Sequence, residues 1–362
     1  MKGTTTVFQG PQTVKLVEFP LHDPPPGGIL AEMIRANICG SELHIYLGHH
    51  PQIRPGAVLG HEGLGRVQRL GEGAHRDFRG EPLEVGDRIV ATYFQACRRC
   101  PPCQQGDFNV CAFAYQYWSQ PSTQPPHFHG TLGTHYYVWP DQYVFKVPDG
   151  VPDESAAMAN CLVAQMLYAI DVASVRPGHT VLIQGAGGLG LAGAALARIR
   201  GAEVVVTDIN AARLDHAYRY GAHAALDVSG ATDSDLAELL QESPIGRANS
   251  DVVIDVTGVP AAFSQGVTLT APGGTFVSVG NVNPGQTCEF DPGAFTRAGV
   301  TMKGIIRYQP WYLGQALDLL AAHPEVPWNE ILDAVYPLTR VGDALADSAA
   351  RRITRASIDC GR

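Results

Sequence analysis

Four cysteines, Cys97, Cys100, Cys103 and Cys111, fall within fifteen residues in the pattern C-x2-C-x2-C-x7-C. Thiolates spaced this way can close all four positions around one tetrahedral zinc ion. Two disulfides are the competing arrangement, disfavoured because thiol clusters of non-secreted chains usually hold metal. The other ligand-type residues form a second, sparse set, Cys39, His61, Glu62 and Cys161, spread over more than a hundred positions. A set of that kind leaves one metal position open for chemistry. Cys288 and Cys360 stand outside both sets and read as ordinary small apolar residues.

A third group speaks to nucleotides. Gly185-Ala186-Gly187-Gly188-Leu189-Gly190 matches G-x-G-x-x-G after the apolar run Thr180–Gln184 and before a small-residue helix predicted over 188–200. Gly185 suits a tight turn, Gly187 lets the backbone approach a pyrophosphate, and Gly190 lets helix and sheet pack closely. The helix start then offers unpaired N–H groups to the anion. Asp208 ends the next predicted strand, 18 residues after Gly190. A carboxylate there accepts from the adenosine ribose hydroxyls and repels a 2′-phosphate, which favours NAD over NADP. Arg213 is the residue that could instead reach a phosphate.

These groups need two kinds of scaffold. Up to about residue 157 the chain is rich in glycine and proline, with short strands predicted over 29–36 and 86–91 and turn signals such as Pro24-Pro25-Pro26-Gly27-Gly28. That texture predicts a small folded sheet or barrel from which the cysteine segment 97–111 projects. Asp153-Glu154-Ser155 then reads as a helix start. From 180 onward, strands over 180–184, 203–208, 252–256 and 275–279 alternate with helices, one capped by Asn210 and ending near Gly221. Apolar strands this continuous belong to a parallel sheet covered on both faces. The fold class is therefore α/β with a β-rich companion.

The chain has 362 residues, 45% hydrophobic and 17% charged, enough for two cores. A net charge of −9 argues against nucleic-acid binding. The N-terminal segment lacks the apolar run of a secretion signal, and no stretch reads as a membrane span. A soluble, cytoplasmic protein is expected.

Ile38-Cys39-Gly40-Ser41-Glu42-Leu43-His44, then Gly60-His61-Glu62-Gly63-Leu64-Gly65, the cysteine lobe and the dinucleotide fingerprint together resemble the zinc-dependent medium-chain alcohol dehydrogenases. The resemblance implies a GroES-like catalytic domain over 1–157 and 306–362, with an inserted Rossmann NAD-binding domain over 158–305. It implies two zinc ions, the catalytic one on Cys39, His61 and Cys161, and the structural one on Cys97, Cys100, Cys103 and Cys111. Glu62 is then a nearby carboxylate and alternative ligand. Ser41 accepts the substrate proton, and a relay through the nicotinamide ribose ends at His44. The family also implies a homodimer or homotetramer, paired through an edge strand over 300–306.

The function implied is an NAD(H)-linked alcohol dehydrogenase or carbonyl reductase. Tyr93 falls where the family lines its substrate pocket, and Asn281 offers a polar wall near the nicotinamide. The insert 113–135 is aromatic and histidine-rich (Tyr115, Tyr117, Trp118, His127, His129, His135), which points to a polar or ring-bearing alcohol if it lines the site and to a packed surface loop if it does not. Two other readings stay open: a zinc reductase of an imine or activated alkene, and a non-catalytic zinc and nucleotide-binding protein.

Overall fold

Ile29–Asn37, one residue longer than the strand predicted there, lies inside a seven-stranded sheet. It pairs antiparallel with Gly63–Leu70 on one side and with Ala356–Asp359 on the other, and His135–Val138 adds to it. Arg88–Gln95 and Gln142–Lys146 continue the sheet beyond Gly63–Leu70. Ala334–Pro337 borders it at the opposite edge. The strand predicted over 86–91 begins two residues later, because Gly86 adopts a left-handed φ and turns the chain first. The computed structural model describes residues 1–50, 53–118, 120–280 and 284–361, and of Asp233 only the backbone.

Two compact units make up the chain. The first comprises Met1–Ala164, Gln309–Pro324 and Trp328–Arg362, and the second Gln165–Tyr308 with Glu325–Pro327. The divides expected at 157/158 and 305/306 fall instead at 164/165 and 308/309, so Cys161 belongs to the first unit. In that unit the short helix Gly40–Tyr46 turns Ile45 and Tyr46 inward, onto a core that includes Ile38, Ala344, Leu345 and Ile358. Cys39 thereby sits at the start of an anchored helix.

The second unit is a six-stranded sheet in the order Ala224–Asp227, Glu203–Asp208, Thr180–Gln184, Ser250–Asp255, Thr270–Ser278, Thr301–Gly304. Every pairing is parallel. Val181, Leu182, Ile183, Val204, Val205 and Val206 are fully buried, as continuous β-branched strands require when both faces are covered. Each such side chain contributes roughly 1.5–3 kcal/mol relative to exposure. Asn210 caps the helix Ala211–Ala217 by accepting from the Ala212 amide, and Gly221 ends the following turn in a left-handed conformation. Among the described residues no helix is long and apolar enough to cross a membrane.

Gly185 has φ +108° and turns the chain out of Thr180–Gln184 into the helix Gly188–Ile199. A Cβ on Gly190 would lie 1.7 Å from the Gly185 carbonyl oxygen, so the turn and helix can approach this closely only without a side chain. Gly190→Ala is therefore expected to destabilise the second unit by about 1–3 kcal/mol. A denaturant titration showing an unchanged midpoint would contradict this account of the close approach.

Candidate metal centre and nucleotide-binding turn

Glu42 organises the first two ligand-type side chains. It is the third residue of the helix Gly40–Tyr46, and its Oε2 accepts from the Cys39 amide at 3.1 Å, closing the helix start. Its Oε1 lies 2.5 Å from His61 Nδ1. With Nδ1 donating to Glu42, the imidazole lone pair is left on Nε2, which faces Cys161 Sγ at 3.4 Å. Burial opposes a charge on His61, yet the Glu42 carboxylate lifts its pKa well above the ordinary value.

Cys161 arrives on a different kind of element. Residues Ala159–Val163 form one wide turn, in which the Val163 amide reaches back five residues to the Met158 carbonyl. Such bulges recur at functional sites because they re-aim one side chain within a helical path. Cys161 Sγ stands 3.7 Å from Cys39 Sγ. Next to it, Asn160 Nδ2 donates to the His61 and Ala91 carbonyls at 3.0 and 3.1 Å.

Glu62 stands outside this trio, as a neighbouring carboxylate. Its Oε1 accepts from Asn37 Nδ2 at 2.8 Å, and its Oε2 pairs with the Arg355 guanidinium. Burial pushes the Glu62 carboxyl up to about 7, against the pull of Arg355. The Cys39 thiol is held well below its ordinary pKa, first by its contact with Cys161 and further by His61 and the charge of the buried Arg355 guanidinium. Glu42 and Arg355 are the contributors the sequence reading missed. The capping-box spacing from Cys39 to Glu42 was the available signal for the first; the second had none.

The donor chemistry fits metal. At Zn–S near 2.3 Å, two sulfurs on a tetrahedral ion stand about 3.8 Å apart, against 3.7 Å for Cys39 and Cys161. The atoms of Cys39, His61 and Cys161 lie within 4.8 Å of one another, three donors that leave a fourth corner for substrate. Cys97, Cys100, Cys103 and Cys111 form a second group equally close, with Cys100 and Cys111 sulfurs 3.9 Å apart. Backbone amides of Cys97, Cys100 and Phe113 point at sulfur atoms of this lobe at 3.3–3.4 Å. Four thiols this crowded do not ionise alike. The Ala112 amide draws Cys100 down to about 6, while burial pushes Cys103 up to about 12. A dication removes that conflict by taking all four as thiolates.

Around His61, Tyr93 packs edge-on with ring centres 5.0 Å apart, and Trp118 packs edge-on at 6.0 Å. Tyr115 lies 5.2 Å from Trp118, and His50 meets it at 5.9 Å. One end of the aromatic insert therefore borders the metal centre. Its histidines do not. His127 bonds the Ser122 carbonyl and stacks on Phe19, His129 bonds the Gln124 carbonyl, and His135 bonds Thr134. Burial holds His129 and His135 below their ordinary pKa. Ser41 and His44 are half-buried on the helix Gly40–Tyr46, three residues apart and so on one face. Burial, then the neighbouring His49, keep His44 below its ordinary value. Asn281 lies outside the described residues.

In the second unit, Asp208 Oδ2 accepts from the Ala186 amide at 2.7 Å and Oδ1 from the Asn210 amide at 2.9 Å. The acidic residue at the strand end thus braces the glycine turn Gly185–Gly190, with Gly187 capping the helix that carries Gly188 and Leu189. Arg213 follows, half-buried, on Ala211–Ala217.

Known proteins resemble this chain in sequence and fold. Residues 25–149 match the alcohol dehydrogenase GroES-like domain, and residues 188–322 match the zinc-binding dehydrogenase domain. The D-xylulose reductase A of Aspergillus oryzae is 32% identical over 290 residues, 76% of this chain and 74% of the relative. The 5-exo-hydroxycamphor dehydrogenase of Pseudomonas putida is 28% identical over 353 residues, covering 96% and 95%. The crystal structure of an alcohol dehydrogenase from Thermotoga maritima superposes with a TM-score of 0.92 at 27% identity, covering 99% of both chains. Joined motifs, matching domains and full-length relatives agree, and the chain belongs to the zinc-dependent medium-chain alcohol dehydrogenase/reductase family.

Proposed function

We propose that this protein is a two-zinc, NAD(H)-linked dehydrogenase of a ring-bearing or polar alcohol, working equally as a carbonyl reductase. The observation that carries the reading is the trio Cys39, His61 and Cys161, spaced for one ion with a corner to spare. The first unit is the catalytic domain and the second the NAD-binding domain. When bound, zinc polarises the substrate oxygen and lowers its pKa, and the nicotinamide exchanges the hydride.

The chain's own groups do the rest. Glu42 holds His61 with Nε2 toward the ion. Arg355 offsets the negative charge of Glu62 and Cys39 in a buried site. Ser41 Oγ takes the proton of the substrate hydroxyl as it gives up its own, and His44 accepts the proton at the end of this relay and hands it to solvent. A ring-bearing substrate fits because Tyr93 and Trp118 present aromatic surface beside His61. Asp208 favours NAD, each oxygen keeping a lone pair for a ribose hydroxyl after accepting a backbone amide. Assembly into a dimer or tetramer would use Thr301–Gly304, the outer strand of its sheet.

Elemental analysis should find two zinc ions per chain. Cys39→Ser should lose one ion and the activity while keeping the fold, whereas Cys103→Ser should lose the other ion and lower the unfolding temperature. One ion per active chain, seated in the cysteine lobe, would overturn the proposal. His44 must be neutral to accept a proton, and its lowered pKa keeps it neutral further into acid. Alcohol oxidation by the wild type should therefore fall only below the ordinary histidine range. His44→Gln should slow it about a hundredfold and abolish that acid limb; an unchanged pH–rate profile excludes the relay. Asp208→Ala should shift the NAD-to-NADP activity ratio toward NADP by about tenfold or more, the worth of a hydrogen bond to a charged group. A wild type that already prefers NADP would refute the cofactor reading.

A further inference from the structure

Beside His61, inside the first unit, lies a cavity of about 10 Å³. That is close to the least space that admits one water molecule. Gly63 and Gly65, two residues apart on one strand face, line it without side chains. Besides His61, three residues with polar side chains line it: Asn160, Thr131 and Tyr136. Asn160 is 2% exposed, and its Nδ2 donates to two carbonyls, those of His61 and Ala91. Two acceptors on one side fix which end of the amide is nitrogen. Asn160 Oδ1 is consequently buried with no hydrogen-bond partner among the described residues. Tyr136 Oη accepts from Gln142 Nε2 at 2.7 Å, which leaves its own hydrogen to donate. Thr131 Oγ1 donates to the Glu62 carbonyl at 3.0 Å and keeps its lone pairs.

We propose that this cavity is a specific water site, and that Asn160 with its water is a positioning element for the metal centre. The water accepts from Tyr136 Oη and donates to Asn160 Oδ1 and Thr131 Oγ1, three bonds of the number internal waters usually make. Through it the Asn160 amide is held at both ends. Asn160 precedes Cys161 and grips the His61 carbonyl, so locking its amide locks the two ligand-bearing segments in register. The positioning role rests on the reading of Cys39, His61 and Cys161 as zinc ligands; the water site does not.

Two measurements test it. A high-resolution crystal structure of the full chain should show one ordered density peak within hydrogen-bond distance of Asn160 Oδ1 and Tyr136 Oη. A cavity without density, or an Asn160 amide turned onto a protein partner, overturns the water site whether or not zinc is bound. Release of zinc to a chelator should then be followed in the wild type, Tyr136→Phe and Asn160→Leu, with the lobe ion as internal control. Tyr136→Phe preserves shape and removes one bond to the water, so it reports even if Asn160→Leu fails to fold. Loss of the first ion should quicken about tenfold, as removal of groups supporting metal ligands generally does, with release from the lobe unchanged. Equal acceleration at both ions, or none at either, overturns the positioning role, whereas a wild type that binds no ion at Cys39, His61 and Cys161 would sink the dehydrogenase reading itself.

Discussion

The Glu42 carboxylate is the constraint on which the metal centre depends. One oxygen fastens the helix that begins at Cys39, and the other fixes the ring of His61. The two segments it joins are far apart in sequence and belong to different elements, a helix start and the approach to a strand. Fully buried, this carboxylate has no water to replace either partner. Removing it would leave a helix end and an imidazole each short of an acceptor in a low-dielectric interior, where unpaired polar groups are costly. The placing of the Cys39 helix start and of the His61 ring thus rests on one buried carboxylate.

A second layer surrounds the first. Asn37 and Arg355 hold Glu62, and the charge of Arg355 also acts on Cys39, so the negative groups near the ligands are balanced from within. These residues come from the strand Ile29–Asn37 and from the segment leading into Ala356–Asp359, neighbours in the sheet although Glu62 and Arg355 are 293 positions apart. Sheet pairing is what brings a guanidinium from the end of the chain to a carboxylate near its beginning. Buried pairs of this kind contribute little net stability but are costly to break singly, which suits a centre that must not relax when its ion leaves.

Much of this was legible in the residues. Continuous valines and isoleucines at 180–184 and 203–208 identify strands that are buried on both faces, and the structure shows them as parallel neighbours with those bounds. The four-cysteine set was readable from residue type and spacing, whereas Cys39, His61 and Cys161, scattered along the chain, were joined only through the resemblance of their motifs to a known family. What was not legible depends on pairing at long range or on backbone irregularity. Nothing local to Arg355 points to Glu62, and no residue pattern announces that Ala159–Val163 widens by one residue to aim Cys161. The insert divides on the same line. Its histidines are ordinary hydrogen-bonding core residues, while Trp118, one of the aromatics that marked the insert, stands beside His61.

The brace formed by Asp208 carries an evolutionary consequence. Its two oxygens tether the amides of Ala186 and Asn210, so the side chain proposed to read the coenzyme ribose is also a strut of the glycine turn. A descendant drifting toward the phosphorylated coenzyme could not simply discard the acid; it would first have to recruit a fresh acceptor for both orphaned amides. A change of preference at this position would thus be paired with a loosening of the turn itself.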